Sequence, residues 1–259
     1  MMRPARFLWP AIMTLLVAFL VGPLLLVVLF SFNANSLISF PMGGVSLDWY
    51  RRLLADPEFH AALRNSLAIA VPTAVVSTVT GTMAAYALAQ WGQRRALPLL
   101  SILSLPVMMP PLVIAIALVV LYRRWLSVPL GLATVIGGHV LVTQPFVAAV
   151  VAARMATFDF TGLDAARDLG ATRWQTFRKV TLPQVRSAVI GAALIAFALS
   201  LDEFIITAFT IGGGNTLSTF VWGKIKTTLD PSINAIATIL LTMTIGATFI
   251  ALRVTRYRG

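Results

Sequence analysis

The sequence has no cysteine, which excludes both a disulfide framework and a thiolate metal site. Histidine is nearly absent as well: His60 and His139 are the two present and stand far apart in the chain, so no metal site is expected. Charge is scarce, at 11% of residues against about 25% in a soluble domain. A phosphate-cradling loop of the form G-x-x-x-x-G-K-[ST] is missing too, because Gly223-Lys224 is followed by Ile225 and Ser218 stands where the first glycine is needed. Gly212-Gly213-Gly214 leads into no helix-opening lysine and reads as a flexible external loop. Neither G-x-S-x-G nor H-E-x-x-H occurs, which leaves an intramembrane enzyme without a nucleophile or a metal base.

What fills the chain is apolar. Hydrophobic residues make up 58% of it and the mean hydropathy is +0.88, the composition of an integral membrane protein. Six apolar runs stand out, at about 7–30, 66–90, 97–121, 130–153, 186–210 and 233–252, each near the ~20 residues that a helix needs to cross a bilayer. The expected fold is therefore all-α and polytopic, with about six transmembrane helices in one domain over 1–259. Its parts are an anchor span at 7–30, core spans within 66–252 and a cytoplasmic loop at 154–185. The first run follows Arg3 and Arg6 and exceeds the ~7–15 apolar residues of a signal-peptide core, so it reads as a retained anchor.

With the N-terminus inside, thirteen Lys and Arg fall on the cytoplasmic side and seven outside, favouring cytoplasmic termini at both ends. The net charge of +11 invites a nucleic-acid reading, but the cations are spread over the ends of the runs rather than gathered in one patch. They read as topology anchors beside lipid, with no nucleic-acid partner.

The polar insert DFTGLDAARDLGATRWQTFRKVTLPQ, from Asp159 to Gln184, lies between two apolar runs. Thr161 and Asp164 have capping-box spacing at the head of a short helix, and Gly170 stands where a left-handed residue would close it. Thr172 and Gln175 repeat the device for a second helix with Trp174, Phe177 and Val180 on one face. Pro183 suits the first turn of the next membrane helix. Ala165 and Ala166 keep the first helix slim. From composition alone the insert reads equally well as an amphipathic helix lying against headgroups.

The order Asp164-Ala165-Ala166, Gly170, Leu182-Pro183 resembles the EAA loop of ABC-importer permeases, with Asp in place of the usual Glu. The resemblance extends over nearly the whole chain and is to the spermidine/putrescine-type permeases. Ser46-Leu47-Asp48-Trp49-Tyr50 is similar to their first external loop, and Leu105-Pro106 through Pro110-Pro111 to their third span. Ser200-Leu201-Asp202-Glu203-Phe204 and Asp230-Pro231-Ser232-Ile233-Asn234-Ala235 resemble two later motifs of the group. The resemblance implies a type I importer permease in a bacterial inner membrane, forming half of a translocation path for a polyamine or a similar small amine. A second permease would form the other half, two ATPase subunits would carry ATP and Mg²⁺, and a periplasmic solute-binding protein would deliver the solute. Asp164, Ala165, Ala166, Gly170, Leu182 and Pro183 would couple to the ATPases. No cofactor is implied on this chain itself. Related permeases carry aminophosphonates, amino-acid-like compounds or opines, which keeps another solute open.

Asp202 and Glu203 lie inside the fifth run, where an ionised side chain costs at least ~2.5 kcal/mol and normally faces a partner or a watery path. On a continuous helix Glu203 shares a face with Ser200, Thr207 and Thr210, whereas Asp202 shares one with Leu199, Ile206 and Phe209. Glu203, with Ser200 and Thr207, is thus the first choice for the solute path, and Asp202 for a contact between permease halves or a backbone cap. The competing reading is that both acids satisfy local donors or a partner's arginine. A secondary transporter using Asp202 or Glu203 is the reading from another class, but no inverted repeat accompanies it. Pro106, Pro110 and Pro111 are expected to break the third span, His139 to be a hydrogen-bonded core residue, and Leu47 to Leu54 to form an external amphipathic helix.

Overall fold

The computed structural model describes residues 5–36, 38–91, 93–157, 161–227 and 230–256. Arg3, Arg258 and Asp159 lie outside them. Twelve α-helices are described: α1 Ala5–Phe30, α2 Asp48–Leu54, α3 Pro57–Trp91, α4 Gln93–Met108, α5 Pro111–Val120, α6 Leu132–Met155, α7 Thr161–Asp168, α8 Arg173–Thr176, α9 Leu182–Asp202, α10 Ile205–Thr210, α11 Leu217–Thr227 and α12 Ser232–Arg256. The chain separates into two compact units, residues 1–60 with 220–243 and residues 61–219 with 244–259.

Among the described residues four helices are long and apolar enough to cross a membrane, and a bent pair makes up to five. The pair is the third apolar run. Its two halves meet at 96° around the break between Met108 and Pro111. Pro111 opens α5 with its ring in the first turn and Pro110 as the capping residue, where neither missing N–H removes a helical bond. The sixth run gives a shorter apolar stretch, Ser232–Gly246, than the full span expected. The helix itself continues to Arg256.

In the first unit, α2 is the helix expected from Leu47 to Leu54. Trp49 Nε1 donates to the Asn33 carbonyl at 2.8 Å and the Tyr50 hydroxyl meets Ser31 Oγ at 2.7 Å, so both aromatics face inward. The polar face carries the exposed Arg51–Asp48 pair at 3.3 Å.

The second unit is built around α3, α6 and α9. Their shared core is Ala74, Ala85, Val147, Val151, Met155, Val185, Ala192 and Ala196, joined by Leu163 of α7. Half of these helix residues are alanine, because apolar side chains gain nothing by leaving lipid and close backbone approach must supply the attraction. At Gly81 a Cβ would fall 2.8 Å from Val147 Cγ1 and 3.1 Å from the Ala148 amide nitrogen. Nearby, Ser77 Oγ and Thr143 Oγ1 bond across α3 and α6 at 2.7 Å.

The length of α3 separates two ends of this unit. Near its start, Asn65 Nδ2 donates to the Asn215 carbonyl and Ser66 Oγ accepts from the Leu217 amide. Near its finish, Gln90 Oε1 accepts from Arg167. Residues 65 and 90 lie within one helix and are thus roughly 38 Å apart at 1.5 Å per residue, more than the ~30 Å hydrocarbon core. The Gly212–Gly214 loop and the α7 loop therefore belong to opposite membrane faces.

Candidate functional site

Two places hold the residues singled out from the sequence. The first is the polar elbow made by α7 and α8. Leu163 is buried, at 1% exposure, and plugs α7 into the core of α3, α6 and α9. Arg167 adds a hydrogen bond of 3.0 Å to Gln90 Oε1.

Gly170 has φ +82° and closes α7 as expected. Its N–H donates to the Arg167 carbonyl and the Ala171 N–H to the Ala166 carbonyl, the paired bonds of a Schellman motif. The Thr172–Gln175 capping box forms in full: the Gln175 amide donates to Thr172 Oγ1 at 3.3 Å and the Thr172 amide to Gln175 Oε1 at 2.9 Å. The first capping box differs, since Thr161 is already within α7 and the residues before it are outside the described ones.

Asp164 points outward, 3.8 Å from Arg167, with its side chain 72% exposed. Ala165 is exposed and Ala166 half-buried. Leu169 and Trp174 stand out at 90% and 61% exposure, large apolar groups on an otherwise polar elbow. Sequence spacing puts Trp174 on a helix face, and nothing in the pattern marks Leu169.

Pro183 stands in the first turn of α9 as expected, but no gap precedes that helix. The helix runs on from Arg173 through a π-turn at Phe177–Thr181 into α9, and the Leu182 N–H bonds five residues back to Phe177. A proline ring would clash with an ordinary α-helical carbonyl four residues earlier. The wider turn absorbs that conflict without ending the helix.

The second place is the fifth apolar run, which is not a continuous helix. It ends at Asp202; Glu203 is extended, with φ −69° and ψ 108°, and α10 restarts at Ile205. The stripe drawn by steps of three and four from Glu203 is therefore corrected. The cap also falls on the other acid: Glu203 Oε1 accepts the Ile206 N–H at 3.0 Å, whereas Asp202 is exposed on this subunit. The Glu203 carbonyl is held by Thr207 Oγ1 at 2.8 Å and Ser218 Oγ at 3.3 Å.

Ser200 and Thr207 are buried against the core histidine. His139 Nδ1 lies 2.8 Å from Ser200 Oγ and Nε2 2.9 Å from Thr207 Oγ1. His139 is thus the hydrogen-bonded core residue expected of it. Glu203 is half-buried and lines a cavity of about 200 Å³ with Pro106, Met109, Pro111, Val142, Phe146 and Leu199 among its neighbours. Ser200 and Thr207 are not among the lining residues. The cavity joins the break of the third run to the break of the fifth, and among the described residues Glu203 is the one ionisable group in its wall. Among the described residues no three His, Asp or Glu side chains converge in a way that could hold a metal ion.

Residues 77–257 match the family described as binding-protein-dependent transport system inner membrane component. The putrescine transport system permease protein PotI of Escherichia coli strain K12 is 34% identical over 90% of this chain and 85% of its own. The spermidine/putrescine transport system permease protein PotC of Haemophilus influenzae is 30% identical over 96% and 97%. In structure the chain is similar to one from a bacterial alginate ABC transporter, with a TM-score of 0.73 and 17% identity over 97% of this chain and 94% of that one. It is also similar to one from the MetNI methionine ABC transporter, at 0.61 and 18% over 79% and 99%. The chain is a multi-pass, all-α membrane protein and belongs to the family of binding-protein-dependent importer inner-membrane components, in which it is the permease subunit.

Proposed function

We propose that this chain forms half of the path of an ATP-driven importer for a small cationic amine of the putrescine or spermidine type. The observation that carries the solute reading is Glu203, a single carboxylate in the wall of a largely apolar cavity between two broken spans. An apolar wall suits a methylene chain and the carboxylate suits its ammonium end. One acid rather than several keeps binding weak enough for release. The names of the relatives, a putrescine and a spermidine/putrescine permease, support the same solute class.

A second permease supplies the other half of the path, with Asp202 available at the contact between the halves. Two ATPase subunits hold ATP and Mg²⁺ on chains other than this one, so this subunit hydrolyses nothing itself. A periplasmic binding protein delivers the solute. The elbow from Asp164 to Pro183 seats in the ATPase, and its exposed Leu169 and Trp174 enlarge the docking set beyond Asp164, Ala165, Ala166, Gly170, Leu182 and Pro183. The whole chain acts as one permease domain with both termini cytoplasmic, an orientation supported by the thirteen-to-seven bias of Lys and Arg.

The test is putrescine uptake by the complete importer in proteoliposomes. Glu203→Gln is expected to lower uptake about tenfold, the scale of one partly screened charge interaction, with co-purification of the ATPases unchanged. Uptake equal to that of the unaltered complex would remove Glu203 from the path.

A further inference from the structure

The fifth run breaks at Glu203 and Phe204, and a single side chain grips it on both sides of the break. His139 of α6 is 1% exposed and reaches Ser200 on α9 through Nδ1 and Thr207 on α10 through Nε2. Thr207 in turn holds the carbonyl of Glu203. We propose that His139 is a positioning residue for the solute path: by tying Ser200 to Thr207 it fixes the break and with it the place of Glu203 in the cavity wall. This rests on the assignment of Glu203 to that path.

The protons are consistent with such a clamp. Thr207 spends its hydroxyl hydrogen on the Glu203 carbonyl at 2.8 Å, so its oxygen must accept from His139, which puts the ring hydrogen on Nε2. In the neutral ring Nδ1 is then an acceptor, and Ser200 donates to it. Each partner has a distinct role, and exchanging the ring for an aliphatic group of similar size leaves both hydroxyls without this partner. The clamp is itself braced, because the His139 carbonyl accepts from Thr143 Oγ1 at 2.8 Å, and Thr143 bonds Ser77 of α3 at 2.7 Å. The line of bonds therefore runs from α3 through α6 to both halves of the broken span. Simple packing of α6 against α9 requires no such bridge; alanine and valine do that work elsewhere on the same pair.

The experiment is a double-mutant cycle on the complete importer, reading putrescine uptake, with His139→Leu, Glu203→Gln and the two combined. His139→Leu is expected to lower uptake about as much as Glu203→Gln, and the combined variant to fall no further than Glu203→Gln alone. His139→Gln, which keeps a donor and an acceptor, is expected to recover most of the loss. As the chain has no cysteine, Glu203→Cys adds a geometric readout. Its alkylation by a cationic thiol reagent should slow about tenfold with His139→Leu, a modest shift in population, and recover with His139→Gln. If His139→Leu does not assemble, Ser200→Ala and Thr207→Val each remove one bond and keep the ring, and the same criterion applies to them. Full uptake in the His139 variants beside a loss in Glu203→Gln, or losses that multiply in the combination, overturns the positioning role alone. Full uptake in Glu203→Gln overturns the path assignment beneath it.

Discussion

At Gly170 a Cβ would meet nothing within 4 Å, so what forbids a side chain there is the backbone, held at φ +82°. Gly170→Val should therefore cost about 1–2 kcal/mol through the left-handed conformation itself, and Gly170→Asn much less. Thermal unfolding of the purified importer, with recovery of ATPase subunits alongside, checks this; equal losses for Val and Asn would contradict it. This residue was legible because a Schellman closure is local, with every partner within five positions. The Thr172–Gln175 box was legible for the same reason. The cap made by Glu203 was not: its neighbours in sequence, Asp202 and Phe204, give no turn signal, and the hydroxyls that hold its carbonyl include Ser218, fifteen residues on. His139 was legible as a buried polar group, but which two hydroxyls it joins is a tertiary fact.

Among elements, α7 is eight residues long, too short to stand alone, and depends on what anchors it. Leu163 is its one buried residue. Leu163→Ala should remove about 2–5 kcal/mol of local stability. Amide exchange is expected to speed up across Thr161–Asp168 while α9 stays protected, and fewer ATPase subunits should co-purify. Unchanged exchange in α7 would mean that the Arg167–Gln90 bond suffices. Breaks in the spans were half legible. Pro110 and Pro111 announce the bend of the third run because proline cannot supply the helical N–H. The fifth run has neither Gly nor Pro between Leu194 and Ile211, and it breaks because side-chain oxygens satisfy the freed backbone groups. Pro183 pointed to the first turn of α9, where it stands, but the π-turn that joins this helix to the one before was not legible, since periodicity cannot distinguish a widened turn from an end.

For the molecule as a whole, the separation of about 38 Å along α3 puts the Gly212–Gly214 loop and the elbow on opposite faces. Cysteines at Gly213 and at Asp168, introduced singly, should be labelled by an impermeant reagent from the outside and only after permeabilisation, respectively. Labelling of both from the same side would overturn the orientation. The class and the span count to within one or two were legible from hydropathy, which measures partition into lipid. It carries no information on how a span bends once inside: the prolines announced the break beside Met109, and the one at Glu203 was missed. One consequence follows from Gly81, where α3 and α6 leave no room for even a methyl group. Helices so tightly seated cannot slide past each other, so the trio of α3, α6 and α9 with its buried Leu163 behaves as a keel. The breaks beside Met109 and Glu203 are the joints at which such a subunit would bend, and a solute lodged between them would sit at the fulcrum.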